Sequence, residues 1–226
     1  MAALSSPFSL RACHRLRQAW QGQRRRVAGA LGAVLLLVML LPPVRQYSES
    51  SMSLHMLLQY PALMGAGALL ATALPRRGAV LLHALQRCNE LGLAGLVLAA
   101  STMAVLMVPR LLDLALVDAR VESLKLLALL CSGSALALSW RRAGVVVQAF
   151  FLGNVLPMLA VVGTLYQDST VRLCNAYLLD DQQTLGAALV WAAAGTLALW
   201  LAHLAITLHG RGNAGLASSA AATPRP

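Results

Sequence analysis

Met52, His55, Met56 and Gln59 stand at i, i+3, i+4 and i+7, a spacing that puts two thioethers, an imidazole and an amide on one helical face. Imidazole and thioether suit copper, and thioether favours Cu(I). Met103 and Met107, one turn apart, could close such a site across a helix contact. The same residues also admit an ordinary reading: methionine fills apolar cores, and a membrane histidine hydrogen-bonds a neighbouring helix. Glu122 and Lys125, three apart, offer an ion pair or a proton relay. Asp180, Asp181, Gln182 and Gln183 precede Thr184 and Trp191, where acids either cap a helix N-terminus or serve a polar site.

The remaining reactive side chains suggest little. Cys13, Cys88, Cys131 and Cys174 lie far apart without a C-x-x-C, so neither a zinc site nor a redox pair is indicated. Of His14, His83, His203 and His209, only His83 with His203 could share a depth that suits haem. No G-x-S-x-G, H-E-x-x-H, phosphate loop or dinucleotide fingerprint occurs. Without a nucleophile and its base, no enzyme is expected.

The elements that carry these residues follow from composition. Hydrophobic residues make up 58% of the 226 and charged residues 12%, with a mean hydropathy of +0.68. A soluble domain carries about 25% charged residues. This chain's solvent is therefore the bilayer, and disorder, collagen and disulfide scaffolds are excluded. Six apolar runs have the length to cross roughly 30 Å of hydrocarbon: 27–44, 54–74, 91–109, 121–139, 143–166 and 184–208. The first could also be the apolar stretch of a signal peptide, but Pro42, Pro43 and Val44 follow it instead of an A-x-A site, so an uncleaved helix is expected. The fold class is all-α: a polytopic bundle of six transmembrane helices over 27–208, a basic tail over 1–26 and a disordered tail over 209–226. Pro61 and Pro157 should kink their spans, with Asn154 satisfying loosened backbone, and Gly65, Gly67, Gly92, Gly95 and Gly186 should let helices approach closely.

The net charge of +10 would suit nucleic acid, but the arginines sit between apolar runs and no basic stretch is interleaved with aromatics. They orient the chain instead. Threading six spans places Arg11, Arg15, Arg17, Arg24, Arg25, Arg26, Arg76, Arg77, Arg87, Arg141, Arg142, Arg211 and Arg225 on one side. Arg45, Arg110, Arg120 and Arg172 fall on the other. By the positive-inside rule both termini are cytoplasmic. Trp20 and Trp140 then mark the inner interface and Tyr47, Tyr166 and Tyr177 the outer one. His55, Gln59, Met103, Met107, Glu122, Lys125, Asp181 and Gln182 all fall towards the outer leaflet, where intramembrane polar groups are functional candidates.

Two segments carry a family resemblance. Ser53-Leu54-His55-Met56-Leu57-Leu58-Gln59-Tyr60-Pro61 resembles the His-Met-x-x-His segment of the CtaG-type cytochrome c oxidase assembly factors. Asp181-Gln182-Gln183-Thr184-Leu185-Gly186, leading to Trp191, resembles that family's Asp-Gln-Gln, glycine-rich, Met-Trp segment. Gln59 stands where the family has its second histidine, and Val190 where it has the methionine. The resemblance implies a multi-pass inner-membrane accessory protein that helps deliver copper to, or mature, a terminal oxidase, with oxidase subunits as partners. His55 would be the first copper ligand, Met52 and Met56 would lie beside it, and Asp181 and Gln182 would orient the mouth. Two other functions fit the residues: a small transporter or channel using Glu122, Lys125 and Asp181, and a structural subunit packing through its small-residue faces.

Overall fold

The computed structural model describes the backbone of residues 7–74 and 89–222, and side chains over 19–74 and 89–209. The described residues form helices and no strand. In chain order these are α1 (Pro7–Leu40), α2 (Pro42–Glu49), α3 (Met52–Leu54), a π-helical turn (His55–Gln59), α4 (Tyr60–Ala73), α5 (Leu93–Leu106), α6 (Pro109–Val117), α7 (Ala119–Trp140), α8 (Val145–Asp168) and α9 (Leu179–Ala222).

Prolines decide where the apolar runs stop being straight. Leu41 precedes Pro42 and adopts φ −63°, ψ 130°, while Val108 precedes Pro109 and adopts φ −70°, ψ 119°. The proline ring clashes with helical geometry in the residue before it, which drives that residue to extended backbone. Helix 19–40 and α2 therefore meet at 70°, and α5 and α6 at 78°. The uninterrupted spans expected at 27–44 and 91–109 are thus broken. Among the described residues four helices are long and apolar enough to cross a membrane, 52–73, 119–140, 145–168 and 179–209, or up to six if each bent pair is one span.

Pro61 acts differently. Lacking an N–H, it cannot bond the Leu57 carbonyl, and the chain widens into the π-turn His55–Gln59 just before it, with no sharp kink. The buried face nevertheless keeps the helical period, through Met52, His55, Met56, Gln59, Tyr60 and Leu63. Pro157 lies inside an unbroken α8. Asn154 Nδ2 donates to the Phe150 carbonyl at 2.7 Å, three residues before the Gly153 carbonyl that Pro157 leaves without its donor.

α4 packs between α1 and α7, α5 packs on α7, and α8 pairs with α9. Lipid offers no hydrophobic drive for these contacts, so close backbone approach must supply them. Gly67 faces the Leu130 carbonyl and Gly133 the Met64 carbonyl, leaving no room for a Cβ at either place. Gly163 and Gly186 do the same for α8 and α9: a Cβ on Gly186 would lie 2.5 Å from the Gly163 oxygen. Gly65 meets only Leu35, at 3.9 Å, so it is not one of the tight contacts. The backbone is already helical from Pro7, within the stretch set apart as a basic tail, and stays helical to Ala222, where disorder was expected. Leu, Ala, Arg and Gln, good helix formers, make up most of residues 8–26, and no proline falls between 210 and 223 to end α9.

A buried charge cluster and a polar clasp

At the end of the bundle where α2, α3, α7 and α9 meet, the π-turn delivers His55 and Gln59 to a fully buried position beside Glu122 and Lys125 on the first turns of α7. Lys125 is the hub. Its Nζ lies 2.7 Å from Glu122 Oε2 and 2.8 Å from His55 Nε2, and donates to Gln59 Oε1 at 3.2 Å. An ammonium has no acceptor lone pair, so Nε2 must accept. The ring hydrogen is then on Nδ1, which donates to Tyr177 Oη at 2.8 Å. Tyr60 closes the pocket edge-on, 5.6 Å from the imidazole centre.

The cluster reaches the surface through Arg45. Glu122 Oε1 lies 3.7 Å from Arg45 Nε, and Arg45 is paired at 2.9 Å with Glu49. Two cations thus face two anions, the balance that buried charge requires. Glu122 meets its cations as ion pairs without hydrogen-bonded geometry, and Gln59 Nε2 has no hydrogen-bond partner among the described residues. The expected Glu122–Lys125 pair is therefore present, as part of a larger network.

A second set of bonds joins α9 to the start of α3. Asp181 Oδ1 accepts from Ser51 Oγ at 2.9 Å and Ser53 Oγ at 2.8 Å, and the carboxylate also takes the Met52 and Ser53 amides. These amides are orphan donors of a helix start, so Asp181 caps α3 from another helix. Gln182 Oε1 accepts the Leu173 amide at 2.8 Å and its Nε2 donates to the Tyr166 carbonyl at 3.2 Å. Tyr166 Oη donates to the Met107 carbonyl at 3.0 Å. Asp180 stays exposed.

The loop 169–178 holds Tyr177 in place. Asp113 accepts the Asn175 and Ala176 amides at 3.0 and 3.2 Å, and Cys174 Sγ donates to the Pro109 carbonyl at 3.4 Å. Burial, reinforced by the negative charge of Asp113, pushes the Cys174 thiol up to about 12. Burial likewise raises the Tyr177 phenol, so it remains a neutral donor and acceptor.

The donor set does not fit copper at His55. Nε2 is taken by an ammonium that would repel a cation, and Nδ1 carries the hydrogen bonded to Tyr177. Met52, Met56 and Met107 lie in the apolar core, with Met103 packed against it. Among the described residues no group of three or more His, Cys, Asp or Glu is placed to hold a metal. His203 is exposed, and His83, Cys88 and the side chains of Cys13 and His14 lie outside the described residues.

Tyr166 and Tyr177, expected as interface anchors, are buried hydrogen-bonding residues, whereas Tyr47 is exposed. Trp191, expected near the polar group, is 77% exposed on α9. Sequence reasoning missed Ser51, Ser53, Arg45 and Asp113 as members of the site. Ser51 preceding the helical face, as a helix cap, was the one available signal. Comparison with family models, with curated proteins and with solved structures finds no match to this chain.

Proposed function

We propose that this chain is a non-enzymatic accessory protein of the bacterial inner membrane that assists the assembly of a terminal oxidase, with the charge cluster and the Asp181 bonds acting as a clasp that fixes the surface offered to the partner. The observation that carries the reading is the bonding of Asp181 to Ser51, Met52 and Ser53. It joins the two segments that resemble the assembly factors, Ser53–Pro61 and Asp181–Trp191. Lys125 occupying Nε2 of His55 favours a structural use of the histidine over copper delivery. The arginine bias supports a topology with both termini in the cytoplasm and the clasp on the other side; reporter fusions after Ser50 and Leu178 test that orientation.

Deleting the gene and measuring assembled oxidase by its haem spectrum tests the function. Oxidase should fall, recover with the wild-type chain, and fail to recover with Asp181→Ala. Unchanged oxidase in the deletion strain overturns the proposal.

A second reading, an ion or proton path, is favoured by the unbroken run Glu122–Lys125–His55–Tyr177, with steps of 2.7 to 2.8 Å. Against it, the contacts of Gly67 with Leu130 and of Gly133 with Met64 close α4 against α7 beyond the cluster. Proton flux in liposomes that disappears with Lys125→Met would replace the assembly reading.

A further inference from the structure

At the end of the bundle away from His55, α1 and α7 stand apart over the last turns of α4 and leave a groove of about 880 Å³. Its rim carries Arg24 and Arg25 from α1 and, from the turn that ends α7, Arg141 and Arg142, the latter donating to the Asn89 carbonyl at 3.4 Å. Its walls are apolar, with Val27, Leu31 and Leu138 among them, and no Asp or Glu lines it among the described residues. Trp20, largely exposed, lies at the same level with the Arg24 guanidinium 4.1 Å from its ring centre.

We infer that this groove binds the headgroup of an anionic phospholipid, with an acyl chain lying along Val27, Leu31 and Leu138. Guanidinium groups gathered from two helices without a lining carboxylate repel one another until an anion joins them. Their planar forks suit phosphate oxygens, and basic pockets between membrane helices take acidic headgroups. Tryptophan belongs at the headgroup level, which puts the arginines at the depth of lipid phosphates. The apolar walls distinguish a lipid from a free anion: inorganic phosphate uses the rim alone and gains nothing from Leu31 or Leu138.

The test uses the full chain in detergent, stripped of lipid. Phosphatidylglycerol, phosphatidylcholine with the same chains, and inorganic phosphate are added separately, with native mass spectrometry reading retention and thermal unfolding reading the shift. Phosphatidylglycerol should be retained and raise the midpoint, and Arg24→Gln with Arg141→Gln should cut its retention at least fivefold. Arg110→Gln with Arg172→Gln, outside the groove, should leave retention unchanged. If the glutamine pair does not fold, Arg24→Lys with Arg141→Lys keeps the charge, loses the forks, and should weaken retention at least threefold. Equal retention of phosphatidylcholine, an equal shift with inorganic phosphate, or undiminished retention in the folded arginine variants overturns the lipid site.

Discussion

Lys125 Nζ and His55 Nε2 lie 2.8 Å apart in the buried interior, so a lysine ammonium occupies the lone pair that a metal would need. The two residues are 70 positions apart, and their meeting depends on the π-turn before Pro61 and on the first turns of α7. Removing either one exposes what the other was balancing.

Lys125→Met leaves Glu122 buried with only the more distant Arg45 for company. Breaking one side of a buried pair typically costs about 3–5 kcal/mol, whereas replacing both partners by apolar groups is near neutral. Unfolding in detergent should therefore show a large loss for Lys125→Met and recovery of most of it in Lys125→Met with Glu122→Leu. A double variant as unstable as the single one would mean that the pair is not the source of the loss.

Competition with a Cu(I) chelator checks the same geometry chemically. The wild-type chain should leave Cu(I) with the chelator, because His55 has no free lone pair. Stoichiometric uptake that disappears in His55→Ala would restore copper binding and displace the clasp.

Asp181→Ala removes the acceptor shared by Ser51, Ser53 and two backbone amides. Orphaned donors at a helix start cost about 1–3 kcal/mol. Amide exchange at Met52 and Ser53 should speed up markedly, and more so than at Leu63 in the middle of α4. Protection that stays uniform along 52–63 would show that the carboxylate does not hold this end.

Cys174 supplies the pH prediction. Folding raises its thiol from 9.0 to about 12, so the neutral form is the one the fold favours. Its contribution to stability is complete below pH 9 and is lost as the pH climbs towards 12. Cys174→Ser should flatten the fall of the unfolding midpoint over that alkaline range. At pH 8 a maleimide should label Cys174 much more slowly than an ordinary thiol, since the side chain is buried and its thiolate is rarer.

How much of this was legible beforehand depends on the range of the interaction. The face Met52–His55–Met56–Gln59 was readable because helical period survives even a π-turn, and Glu122–Lys125 because three residues span one turn. Threading the spans put His55, Gln59, Glu122 and Lys125 at one depth, and their contacts are a matter of packing. The bends at Leu41 and Val108 were written in Pro42 and Pro109, yet hydropathy alone counts through a proline as if the helix continued. Tyr177 reaching His55, and Asp181 reaching Ser51, span more than a hundred residues and leave no local periodicity to read. Aromatic residues at a span end suggest an interface belt, and only the packing of loop 169–178 turns Tyr177 inward.

Gly186 tests whether the α8–α9 pair is as tight as the backbone spacing requires. A Cβ there would sit 2.5 Å from the Gly163 oxygen and 2.9 Å from Gln167 Cγ, so even alanine forces the helices apart. Overpacking of this kind costs about 1–3 kcal/mol, and leucine belongs at the upper end. Gly153 lies on the same helix as Gly163 with nothing within 4 Å of its would-be Cβ, so Gly153→Leu is the matched control. Unfolding in detergent should separate the two variants clearly. Because Gly186 lies one turn beyond Gln182, separation of α8 from α9 should also break the Gln182–Tyr166 bond and loosen loop 169–178. Faster maleimide labelling of Cys174 in Gly186→Leu, but not in Gly153→Leu, would show that helix spacing and clasp are one mechanical unit. Equal labelling in both would show that the clasp holds without help from the glycine contact.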